Sequence, residues 1–169
     1  MHISWHINDV DVQRVKKILN DNNNIFLKKR KEHNVLKKNI VIDHNTIIKT
    51  MIACLLTSQQ RSGPHTPVSN FFNFIPFPIT HEKLNSSNNI SLFTKKILVQ
   101  NGLTRFIDRI SRFFFKNIIA IQKDDWRILS KLKKLNEQQS KNHERVIADY
   151  LDDWLFGFGP KQSRNFLQT

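Results

Sequence analysis

A chain of 169 residues with 39% apolar content can bury one sizeable core and does not require a second. A net charge of +13 and a pI near 10.1 point to a polyanionic partner, nucleic acid being the commonest, and leave the fold open. The single cysteine, Cys54, excludes a disulfide framework, a Cys-ligated zinc site and a four-cysteine iron–sulfur cluster within this chain. No apolar run is long enough for a signal peptide or a membrane span, so a soluble cytoplasmic protein without a cofactor is expected.

Residues 1–45 read as a basic N-terminal helix and arm. Val10, Val12, Val15, Ile18 and Leu19 give a short amphipathic helix capped by Asn8 or Asp9, and the Asn-rich stretch 21–24 ends it. Lys28, Lys29, Arg30, Lys31, Lys37 and Lys38 then form a basic run, either a solvated face or a contact to a nucleic-acid backbone. His2 and His6 stand at i, i+4 but lack a third ligand, and the seven histidines suggest no metal site.

From Asp43 the pattern changes. Ile47, Met51 and Leu55 share one stripe and Ile48, Ile52 and Leu56 an adjacent one, which predicts a buried helix capped by Asp43 or Asn45. It ends in a Ser/Gln-rich turn, 57–64, that holds Gln59 and Gln60. Residues 64–90 contain four of the five prolines, and Pro76 and Pro78 exclude a regular helix around them. An irregular loop is expected there, its aromatics Phe71, Phe72, Phe74 and Phe77 packing on the body or, less simply, stacking on bases.

Three further helices are predicted at 92–100, ended by Gly102, at 104–119 and at 124–135. Phe106, Ile110, Phe113, Phe114 and Ile118 mark the apolar face of the middle one; Asp124 and Asp125 suit the start of the last. Their other faces are basic, through Lys95, Lys96, Arg105, Arg109, Arg112, Lys131, Lys133 and Lys134. No strand-like alternation occurs, so the expected class is an all-α helix bundle.

The clearest helix carries Ile147, Leu151 and Leu155 on one stripe, with Val146, Tyr150 and Trp154 beside it. It runs into Gly157-Phe158-Gly159-Pro160-Lys161, and a second helix begins at once, so only a tight hairpin can join them. Gly157 and Gly159 permit positive φ or close approach of a partner, and free N–H groups at the turn and new helix start suit a phosphodiester.

At these residues the chain resembles the helix-hairpin-helix DNA glycosylase superfamily, in the endonuclease III and 8-oxoguanine glycosylase-lyase manner. The lyase members read Gly, hydrophobic, Gly, any residue, Lys, and 157–161 fit in order. The resemblance covers roughly 47–169, with specific matches at 58–60 and 157–161, and assigns 46–169 to an incomplete glycosylase-like domain. It implies base-excision repair on damaged or abasic double-stranded DNA by a monomeric, nucleoid-associated enzyme. Lys161 would be the catalytic nucleophile at the sugar C1′, and Gln59 or Gln60 would fill the gap left by a flipped base. Gly157, Phe158, Gly159 and Arg164 would complete the DNA-binding set. The expected alternative for the glutamines is that they only satisfy a helix C-terminus.

The family also uses an Asp beyond the hairpin helix, and no Asp or Glu follows Lys161 here. That departure, with the chain ending at Thr169, suggests a truncated relative or a fragment. Asp149, Asp152 and Asp153 precede the hairpin and cannot take that role by the motif. The rival expectations are therefore a non-catalytic basic DNA-binding module and a binder of structured RNA.

Overall fold

The paired apolar stripes that begin at Ile47 form the central element of the fold. The computed structural model describes residues 8–20, 41–138 and 140–167 and divides into two units, Met1–Ile40 and Val41–Thr169. Every regular element among the described residues is an α-helix, so the described part of the chain is all-α.

In the first unit, helix α1 (Asp9–Leu19) is capped by Asn8, whose Oδ1 accepts from the Asp11 N–H at 2.9 Å. Val10, Val15 and Ile18 are exposed on it. The basic run from Lys28 to Lys38 and the His2/His6 pair lie outside the described residues.

In the second unit, α2 (His44–Thr57) takes Asp43 as its cap, with the Thr46 N–H 2.7 Å from Oδ1. Both expected stripes are buried, because later helices cover α2 on more than one side. Asn45, the alternative cap, instead accepts from the His81 N–H at 2.8 Å. The stretch read as an irregular loop contains two short helices, α3 (Pro67–Phe72) and α4 (His81–Asn85). Thr66 and Thr80 start them as side-chain caps, and Pro67 occupies the first turn, where its missing N–H costs nothing. Phe71 is buried against the rings of Phe72 and Phe77, whereas Phe74 and Ile75 are exposed.

Helix α5 (Ile90–Gln100) begins earlier than its apolar pattern suggests because Asn89 caps it, and Gly102 ends it at φ +75°. Helix α6 (Ile107–Lys123) starts and stops later than predicted. Phe106 consequently precedes the helix and is exposed, although its spacing to Ile110 suggests a buried residue. The expected helix start at Asp124 is also corrected. Asp124 closes α6, Asp125 and Trp126 follow at φ +49° and +54°, and α7 (Arg127–Gln138) begins only after them. The Trp126 N–H reaches back to the Ile121 carbonyl at 3.0 Å, a Schellman-type closure that requires the left-handed backbone.

Trp126 also closes an aromatic cluster. His44 and His81 stack at 4.4 Å, and the indole meets both edge-on at 4.5 and 5.2 Å. Desolvation, then the neighbouring His44 charge, hold His81 below the ordinary histidine value of 6.5. A histidine whose pKa is depressed on folding binds its proton less readily in the native than in the unfolded state, so stability is greatest above 6.5 and falls as the pH drops through that value. Urea midpoints measured from pH 7.5 to 5 are expected to drop through this window. The drop should shrink in His81→Asn.

Candidate nucleic-acid interface

Helix α8 (Lys141–Trp154) is capped by Ser140 and buries Ile147 and Leu151, and Leu155 continues that stripe into the turn. Tyr150 and Trp154 lie beside it with ring centroids 5.0 Å apart and planes tilted by 32°, and Val146 is exposed. The turn 155–159 delivers the chain into α9 (Pro160–Leu167), which packs on α8 and on α2.

Each glycine of the turn has a different task. Gly157 has φ +78°, and a Cβ there would stand 2.5 Å from Phe113 Cδ2 and 3.0 Å from Leu55 Cδ2. A side chain is therefore excluded by both the backbone and the close fit to α6 and α2. Gly159 has no such strain, and a Cβ would meet only Gln162 Oε1, at 3.8 Å. Phe158 turns inward, its ring 5.8 Å from buried Phe166.

A polar clamp fixes the turn from α6. The Phe156 N–H donates to Asn117 Oδ1 at 2.7 Å, and Asn117 Nδ2 donates to the Phe156 carbonyl at 3.0 Å. Asn117 is wholly buried, so its amide depends on these part-buried bonds for its partners. One residue earlier on α6, Lys116 places its ammonium 4.5 Å over the Phe156 ring. From α2, Cys54 meets the Gln162 carbonyl at 3.6 Å. Burial pushes its thiol up to about 12, so it stays protonated, a weak donor and not a nucleophile.

This arrangement leaves donors free. The Ser163 N–H closes the first turn of α9 on the Gly159 carbonyl. The N–H groups of Gly157, Gly159, Lys161 and Gln162 have no acceptor among the described residues. Lys161 and Arg164, one turn apart, are exposed beside them. Neither forms an ion pair among the described residues. The result is a set of unpaired donors with cations at a helix N-terminus, which suits an anion.

A second basic feature adjoins the turn. Arg109, Arg112 and Lys116 follow at i, i+3 and i+7 on α6, opposite the buried Ile110, Phe114, Ile118 and Ile121, and Arg105 stands in the turn just before the helix. Arg109 to Lys116 alone spans about 10 Å of helix. Among the described residues no carboxylate pairs with any of the four; Asp108 pairs with Lys95 at 2.6 Å instead.

The two glutamines lie at the upstream end of this stripe. Gln59 Oε1 accepts from the Arg109 guanidinium, and its Nε2 donates to Ser58 Oγ at 3.2 Å. Gln60 Nε2 donates to the Arg105 carbonyl at 3.0 Å. Thus α6 brings the 58–60 turn and the 157–161 turn onto one element. Among the described residues no three His, Cys, Asp or Glu side chains are placed to hold a metal, and no helix is long and apolar enough to cross a membrane.

Sequence reasoning missed Asn117 and Lys116. Asn117 was findable as a polar residue inside the apolar stripe between Phe114 and Ile121, where a buried amide needs a partner. Comparison of the chain with protein-family models, with curated proteins and with solved structures matched nothing.

Gly157→Ala is expected to destabilise the fold by roughly 2 kcal/mol or more, from the left-handed backbone and the clash with Phe113. Asn117→Leu should cost about 2–4 kcal/mol by stranding both Phe156 backbone groups. Gly159→Ala should change stability by less than about 1 kcal/mol. Urea unfolding of the three variants checks the series.

Proposed function

We propose that this chain binds the sugar-phosphate backbone of double-stranded DNA, with the 155–161 turn as a helix-hairpin-helix phosphate cradle and the α6 stripe as its continuation. The observation that carries this reading is the contiguity of free turn N–H groups with unneutralised cations. Lys116 stands over Phe156, and the next residue, Asn117, clamps the turn. Such an array supplies the counterion-releasing contacts on which sequence-independent affinity rests. Gly159, open above its Cα, is the point of closest approach for a phosphate.

The resemblance to base-excision glycosylase-lyases extends this binding to chemistry. In that reading the Lys161 amine lone pair attacks C1′, the glycosidic bond breaks and the base leaves with a proton. The nitrogen lone pair then breaks the C1′–O4′ ring bond, O4′ takes up a proton, and the open-chain iminium so formed loses a C2′ proton and expels the 3′ phosphate. Lys161 is exposed, so burial around its amine comes only from bound DNA. A non-catalytic clamp is the second reading. It is favoured by the ion-pair pattern, in which no carboxylate engages Lys161 among the described residues.

The test uses duplexes that carry an abasic site or 8-oxoguanine. Under borohydride, wild type should form a covalent adduct that Lys161→Gln abolishes, and adduct persisting in the variant would exclude Lys161 as nucleophile. Salt-sensitive binding without any adduct would establish the clamp alone. In the same assays Arg112→Ala should lower the slope of log K against log salt by about 1. Gly159→Ala should weaken binding without loss of stability.

A further inference from the structure

Phe106 is a bulky residue where the backbone favours glycine. It stands at φ +55° as the N-cap of α6, without a side-chain capping bond, and 45% of its surface is exposed. A non-glycine residue in this region costs about 1–2 kcal/mol. A buried ring could offset that cost by packing; this one is half in solvent. Its neighbours are cations. The guanidinium carbons of Arg105 and Arg109 each lie 4.9 Å from the ring centroid.

Both glutamines hold this turn from the 58–60 turn that follows α2. Gln60 fixes the Arg105 carbonyl, and Gln59 accepts from the Arg109 guanidinium. Their side-chain amides are therefore already engaged, whereas the Phe106 ring retains open surface. An aromatic ring flanked by guanidiniums suits a flat, electron-rich heterocycle attached to an anionic backbone. That describes an unpaired nucleobase.

We infer that Phe106 is a stacking platform for an unpaired base, and that Gln59 and Gln60 act as positioning residues for the Arg105–Phe106–Arg109 turn and do not themselves fill a gap in the duplex. The inference rests on the DNA-binding reading above. It adds that nucleic acid with a displaced base is preferred to a fully paired duplex. The arginines contribute charge to both ligands; the ring contributes only to the displaced base.

The experiment measures fluorescence anisotropy of the full chain with a labelled duplex that carries one extrahelical base and with the same duplex fully paired. Wild type is expected to prefer the bulged duplex. Phe106→Gly should lower that preference about fivefold or more, with paired-duplex affinity within about twofold of wild type. Because glycine relieves the left-handed strain, its Tm should not fall, which separates lost stacking from lost fold. Phe106→Trp should retain the preference and show indole quenching by the bulged duplex beyond that of wild type. An unchanged preference in Phe106→Gly, absence of preference in wild type, or no added quenching in Phe106→Trp overturns the inference while the DNA-binding reading stands. Failure of wild type to bind either duplex overturns both.

Discussion

The exchange of two hydrogen bonds between Asn117 and the Phe156 backbone is the constraint on which the candidate site depends. A short turn between two helices has few contacts of its own, and its polar groups are ordinarily left to water. Here the turn is seated on α6 by a buried amide, and Gly157 lets Phe113 and Leu55 close over the space a side chain would fill. Phe158 and Phe166 complete the seat from within. The N–H groups that remain unpaired are held in a fixed arrangement at the start of α9, so a bound anion need not order them.

Helix α6 also joins charge to geometry. Its buried face, through Ile110, Phe114, Ile118 and Ile121, anchors it in the core, and the opposite face carries the cations. Exposed cations of one sign repel one another, and no carboxylate relieves that among the described residues along Arg105, Arg109, Arg112 and Lys116. A polyanion relieves it directly. The same physics explains why binding is better supported than reaction. A phosphate needs donors and positive charge, both present, whereas attack by Lys161 also needs an amine removed from water.

The helical class and most helix positions were legible because apolar spacing and caps report local structure. The stripes from Ile47 to Leu56 and from Ile147 to Leu155 lie in helices that bury them, and Asp43, Asn8 and Gly102 act as their chemistry suggests. Errors fell where tertiary packing overrides the local signal. Asp124 and Asp125 resemble a helix start, but Trp126 folds onto His44 and His81 and reverses the chain there. Phe106 matches the apolar spacing of α6 yet stands outside it, so periodicity assigned it to the core. In the site, the motif marked Gly157, Gly159 and Lys161 but could not separate the two glycines. Only the proximity of Phe113 shows that Gly157 serves packing and Gly159 remains open. The glutamine contacts with Arg105 and Arg109 span long sequence separations and leave no local trace.

The most direct test is amide NMR of the chain titrated with a short DNA duplex, following hydrogen exchange and chemical shift residue by residue. The account predicts fast exchange at Gly157, Gly159, Lys161 and Gln162 in the free chain, slowed on DNA addition, with accompanying shifts at Arg105 and, along α6, at Arg109, Arg112 and Lys116. Shifts confined to the basic faces of α5 and α7, with these four amides unchanged, would contradict it.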